Sequence, residues 1–95
     1  MKILNKEPLQ GFKEKYADAK EQVEAWEAEV GEAQWDTPHD LKRKHPKASL
    51  LKNKQVVFNF CWNDYRLWVQ VNYQSKIVLI KKIGTHREYD KWTIQ

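Results

Sequence analysis

Residues 65–73, YRLWVQVNY, alternate without a fault. Tyr65, Leu67, Val69, Val71 and Tyr73 fall on one side of an extended chain, and Arg66, Trp68, Gln70 and Asn72 on the other. Apolar positions two apart do not make a helix face, which needs spacings of three and four. The run therefore demands a strand with one face covered and one face open. Two further apolar runs flank it: 56–60 (VVFNF) and 77–83 (IVLIKKI). The breaks between them, Trp62-Asn63-Asp64 and Gln74-Ser75-Lys76, carry residues that tolerate turn conformations. Three strands joined by short breaks predict antiparallel pairing. Cys61 ends the first apolar run and is expected to be small and buried. Lys81 and Lys82 interrupt the third, and Gly84 is expected to end it. Thr85 then caps a short closing helix or turn over 86–92.

Something must cover the apolar face, and the first third of the chain is suited to do so. Residues 2–5 suggest a short edge strand. Glu7 and Pro8 open a helix in which Leu9, Phe12 and Tyr16 form one stripe. A second helix is predicted over 18–32, with Asp18 as its cap and Gly31 as its terminator. Its seam is Ala19, Val23, Trp26, Val30 and Ala33, and glutamates occupy its outer faces. The pair reads as a helical hairpin whose role is support of the sheet. Thr37 and Pro38 begin a third, short helix that ends before Pro46. With 95 residues the chain is expected to be one domain, 1–95, of the α+β class: a helical hairpin packed on a small, twisted, mainly antiparallel sheet.

The net charge of +4 hides a division. Residues 1–35 hold five lysines and eight acids, whereas residues 36–95 hold twelve lysines or arginines and five acids. The C-terminal part is thus a localised cationic surface, suited to a polyanion such as RNA or to a solvated exterior. Residues 39–47 (HDLKRKHPK) concentrate four of those cations and two histidines, and read equally as a groove lining or a solvated connector. A single cysteine excludes an intrachain disulfide, and neither His39 nor His45 stands at metal-ligand spacing, so no metal or cofactor is expected. No stretch of some 18 apolar residues suggests a membrane span, and residues 1–9 lack the apolar segment of a signal peptide; a cytoplasmic location is expected.

Chemistry gathers around the open strand face. Arg66 lies on it, Lys52 and Lys54 precede the first strand, Lys81 and Lys82 interrupt the last, and His86, Arg87 and Tyr89 follow Gly84. Lys52 and Lys54 are two apart and share a side if the backbone there is extended. These residue types suit RNA phosphodiester cleavage. Arg and Lys stabilise charge on the phosphate oxygens, His carries a proton near neutral pH, and Tyr stacks on a base or orients the phosphate. The same set also serves a non-catalytic RNA-binding module, or a charged surface for a protein partner. Structural readings stand beside these: an ion pair of Arg66 with Asp64, Glu88 or Asp90, and Tyr89 with Trp92 as a packed helical pair.

Phe58 with Asn59, the Asn63-x-x-Arg66 step into the next strand, and the ending Thr85-His86-x-x-Tyr89-Asp90 together resemble the HigB family of bacterial toxins, of the RelE-like superfamily. The resemblance is strongest over 37–92, and the preceding helical hairpin has the expected order. Cys61 and Trp62 depart from it, standing where relatives often have small or flexible residues. The resemblance implies a RelE-like fold and an mRNA interferase, an endoribonuclease that cuts message in the ribosomal A site and so inhibits translation. It implies neutralisation by a HigA-type helix-turn-helix antitoxin, with DNA met only through the antitoxin complex. On that reading Arg66, Lys54, His86 and Tyr89 are the catalytic candidates, and Lys52, Lys81, Lys82 and Arg87 further RNA contacts.

Overall fold

The computed structural model describes residues 1–94. The alternating run forms the middle strand of a five-stranded sheet, β4 (Tyr65–Asn72). Its neighbours are β3 (Gln55–Phe60) and β5 (Ile77–Thr85), both antiparallel to it. Beyond β3 lies the two-residue β2 (Ser49–Leu50), also antiparallel, and beyond β5 the parallel edge strand β1 (Lys2–Leu4). The sheet is therefore mainly antiparallel with one parallel edge. Among the described residues there are four α-helices: α1 (Glu7–Lys15), α2 (Lys20–Glu32), α3 (Pro38–Lys44) and α4 (His86–Tyr89).

The alternation of β4 decides the layers. Leu67 and Val69 are fully buried, facing Phe58 and Val56 on one side and Ile83 and Ile80 on the other. Helices α1 and α2 cover this face with Leu9, Phe12, Val23, Trp26 and Val30. Phe12 meets Tyr65 edge-on at 5.1 Å, and Trp26 meets Phe58 the same way at 5.3 Å. Each such side chain contributes about 1.5–3 kcal/mol by leaving water, which is why the helical layer persists despite its acidic exterior.

The two lysines that interrupt β5 are explained by register. Trp68 pairs with Lys82, but Val69 pairs with Ile80, so the strand carries one extra residue there. This bulge lets Ile83 return to the helix side although it lies three residues after Ile80. Lys81 and Lys82 are both exposed. Because β1 pairs only with Ile77, Val78 and Leu79, the rest of β5 is an open edge, and charge there discourages further strand addition.

Several expectations need correction. Asp18 does not cap α2; it lies in a 3₁₀ turn (Ala17–Ala19), and its carboxylate accepts the Tyr65 hydroxyl at 2.8 and 2.9 Å. That bond to a carboxylate, with burial second, pushes the phenol up to about 12. Gly31 lies inside α2, and Gly84 lies inside β5, which runs one residue further. Cys61 is half-buried in the β3–β4 turn, with φ of 48°. Lys52 and Lys54 are not on an extended backbone: they occupy a 3₁₀ turn in which Asn53 and Lys54 take left-handed φ values of 58° and 60°. The third helix is capped as expected, by Thr37 in a reciprocal box with Asp40.

The basic segment 39–47 is divided by burial. Leu41 is fully buried and Arg43 pairs with Asp40 at 3.0 Å, but His45 turns inward between the rings of Trp35 and Phe58. Burial, opposed by Glu29 at 3.9 Å and aided by Lys44, holds its imidazole below the ordinary 6.5. The folded value is depressed, so between it and 6.5 the unfolded chain binds the extra proton, and stability falls as pH falls through that window. Urea midpoints should therefore drop between pH 7 and pH 5.5, ahead of carboxylate protonation. His45→Gln should flatten that part of the curve; an unchanged slope would show that His45 does not carry it.

Candidate active site

The open face of the sheet is built by β3, β4 and β5 and is partly roofed by the last residues of the chain. The roof begins with Thr85, whose hydroxyl accepts the Glu88 N–H at 3.1 Å while Glu88 accepts the Thr85 N–H at 2.9 Å. This capping box starts α4 directly at the end of β5. The Thr85 N–H bond, more than any nearby lysine, holds the Glu88 carboxyl below its ordinary value. The His86 N–H donates to the Asp64 carbonyl at 2.8 Å, which ties α4 to the β3–β4 turn. Gly84, opposite Arg66 in register, provides the room: a Cβ there would stand 2.9 Å from Glu88 Oε1 and 3.1 Å from Trp92.

Under this roof the aromatic side chains form a chain of contacts. Tyr89 meets Trp92 edge-on at 5.6 Å, and Trp92 lies 6.1 Å from Trp68. Trp68 donates its indole N–H to Gln55 at 2.9 Å, and the Gln55 amide donates to the Lys52 carbonyl at 3.1 Å. The Arg66 guanidinium lies 4.9 Å from the Tyr89 ring centre, a cation–π contact. The Lys81 ammonium stands 6.0 Å from the Trp68 ring. A cavity of about 530 Å³ opens beside the cluster, lined by Lys52, Gln55, Tyr89, Asp90 and Trp92 among others.

Arg66 has no carboxylate partner among the described residues, so the ion pair with Asp64, Glu88 or Asp90 does not form. Its Nε is buried without a hydrogen-bond partner, and so is Oδ1 of Asn59, the residue opposite it on β3. A half-buried guanidinium with unused donors is well matched to a phosphate, whose oxygens accept from its planar fork. His86 is exposed, with Nδ1 3.6 Å from Asp90 Oδ1. It has access to substrate and a carboxylate that can orient it.

The sequence candidates thus separate. Arg66, Tyr89 and Lys52 share the roofed face, Lys81 borders it through Trp68, and Lys82 pairs with Trp68 on the neighbouring strand. His86 and Arg87 are exposed on α4. Lys54 lies apart. It lines a different cavity, with Thr37, Pro38 and Tyr73. Sequence reasoning passed over Gln55, Trp68, Asp90 and Trp92 as site members. A polar residue heading an apolar run and the i+4 spacing of His86 and Asp90 were the available signals. Among the described residues, no group of three His, Cys, Asp or Glu side chains could hold a metal ion.

The sequence model of the HigB toxin family, a RelE-like toxic component of a toxin–antitoxin system, matches residues 19–92. The chain belongs to the HigB toxin family. The match contains both sides of the candidate site, from β3 to Trp92. This HigB-family chain is also similar over its length to curated proteins. It is 28% identical to the mRNA interferase toxin HigB of Escherichia coli K12, an alignment covering 98% of this chain and 91% of the relative. The mRNA interferase HigB of Shigella flexneri gives the same figures, and that of Escherichia coli O6:H1 is 27% identical over 98% and 92%.

Proposed function

We propose that this chain is the endoribonuclease of a toxin–antitoxin pair, cutting mRNA in the ribosomal A site with protein groups alone. The observation that supports this most is the Arg66 guanidinium, which has no carboxylate partner among the described residues and lies against Tyr89 on the roofed face. In the proposed step the 2′-hydroxyl loses its proton and attacks the adjacent phosphorus. The bond from phosphorus to the 5′-oxygen breaks, and that oxygen gains a proton, leaving a 2′,3′-cyclic phosphate. Arg66 and Lys52 stabilise charge on the phosphate oxygens, His86 carries a proton, and Tyr89 orients or stacks. Lys81, Lys82 and Arg87 hold flanking phosphates. Lys54, expected among the catalytic groups, fits better as an outlying phosphate contact. The partner on this reading is a HigA-type helix-turn-helix antitoxin, through which alone the complex meets DNA. A cytoplasmic location accords with a ribosomal substrate. Among the described residues, no helix is long and apolar enough to cross a membrane.

The test is cleavage of a reporter message with and without translating ribosomes, the cut sites mapped by primer extension and the new ends identified chemically. Cuts within the translated frame, dependent on ribosomes and leaving a 2′,3′-cyclic phosphate and a 5′-hydroxyl, are the expected result. Binding of RNA without any cut would replace the enzyme by a non-catalytic basic RNA-binding module. Ends carrying a 3′-hydroxyl and a 5′-phosphate, the products of attack by water, would remove the step written here.

A further inference from the structure

Among the described residues, Trp62 is the one large apolar side chain that the fold leaves almost wholly in solvent, at 87% exposure. Its backbone is left-handed, φ 66°, directly after Cys61 at φ 48°. Neither residue is glycine, and each such conformation costs on the order of 1 kcal/mol or more. The turn is nonetheless firmly mounted. The Cys61 N–H donates to Gln22 at 2.8 Å, the Asp64 N–H donates to the Cys61 carbonyl at 3.1 Å, and Tyr65 is held by Asp18. The Gln22 bond ties the turn to α2 and the Asp18 bond ties Tyr65 to the 3₁₀ turn before it, and none of these anchors engages the indole. The Lys47 ammonium stands 5.5 Å from its ring centre, and the Lys47 carbonyl accepts from Asn59 at 3.3 Å, so the cation is tied to the same hairpin. The turn also lies against the candidate site: Asp64, two residues from Trp62 and two from Arg66, accepts the His86 N–H.

A solvent-exposed indole beside a cation matches a nucleotide: a base stacks on the ring while its phosphate meets the ammonium. We propose that Trp62 and Lys47 form a stacking subsite for one unpaired nucleotide of the RNA, adjacent to the cleavage site. The proposal rests on the RNA-cleaving reading above and adds a residue pair to it.

The probes are a short single-stranded oligoribonucleotide, followed by tryptophan emission, and cleavage of a message on programmed ribosomes. Binding should quench emission in the wild type, and Trp62→Phe should remove the share of the quench that Trp62 contributes, leaving that of Trp68 and Trp92, while affinity stays within a few-fold. Trp62→Ala should weaken oligonucleotide binding about five- to one-hundred-fold, one base's worth of stacking. It should raise the half-saturating message concentration more than it lowers the maximal rate. Trp62→Leu should not rescue, since it restores area without a π face. Lys47→Ala should reduce the slope of log affinity against log salt by about 0.7, one single-strand phosphate. Thermal midpoints of all variants should match the wild type, because an exposed side chain supports no packing. Equal rescue by Leu, or wild-type binding and cleavage by Trp62→Ala, would overturn the subsite and leave the enzyme reading intact. Loss of antitoxin affinity alone would reassign Trp62 to a protein contact and overturn it too. A wild type that neither binds nor cuts RNA would remove both.

Discussion

Arg66→Ala should lower the rate of message cleavage by about 10²–10³-fold or more while the protein stays folded. The magnitude is that of removing a fixed positive group aimed at charge that grows in the transition state. The retained fold follows from the geometry. Arg66 is on the open face of β4, its guanidinium pairs with no carboxylate among the described residues, and its Nε has no hydrogen bond to lose. What Arg66 gives the fold is one cation–π contact with Tyr89, worth about 0.5–1 kcal/mol at a surface and up to about 2 where desolvated. Relief of an unsatisfied buried donor offsets much of that. Arg66→Lys should recover little activity, because an ammonium offers neither the planar fork nor the same stacking. Initial rates on translated message, with the thermal midpoint measured beside them, decide the matter. Wild-type cutting by Arg66→Ala would place the chemistry elsewhere.

Gly84→Val should cost both stability and activity, for a reason of space. Gly84 does not have a left-handed backbone, and its difficulty is what lies above it. An added Cβ meets Glu88 Oε1 at 2.9 Å, the Trp92 ring at 3.1 Å and Glu88 Cβ at 3.3 Å. Glu88 can swing away only by releasing the Thr85 N–H, which opens the capping box. Trp92 can move only by leaving Trp68. The roof should lift, separating Tyr89 from Arg66. Overpacking of this kind costs about 1–3 kcal/mol, and misplacement of a site by an ångström can cost about 10²-fold in rate. Near-ultraviolet circular dichroism should register the separated indoles. Gly11→Ala is the control: nothing lies within 4 Å of its new methyl, so α1 should gain about 0.5–1 kcal/mol. If Gly84→Val melts and cuts as the wild type does, the roof does not hold the site.

How much was legible depended on the range of the interaction. The strands, their order of pairing and the burial of Leu67 and Val69 were readable because alternation is local and a one-residue slip would invert every side chain. The caps at Thr37 and Thr85 were readable because their partners lie three residues away. Asp18 misled for the same reason. Locally it is a good cap, but Tyr65, 47 residues on, supplies a better partner. Lys52 and Lys54 misled because left-handed backbone at Asn53 and Lys54 was not anticipated in a basic segment.

The order of residues 55–92 by itself determined a three-stranded antiparallel core, an open polar face bearing Arg66, and a capped ending, since each rests on periodicity or short spacing. Tertiary structure alone decided that the ending folds back over that face, that the β5 bulge turns Ile83 inward, and that Lys52 joins Tyr89 while Lys54 does not. It also decided that Trp62 is left outside. The physical reason is common to all four. Which face a side chain meets across strands depends on register and on the room above a residue such as Gly84, and those are properties of the packed sheet rather than of any short stretch of chain.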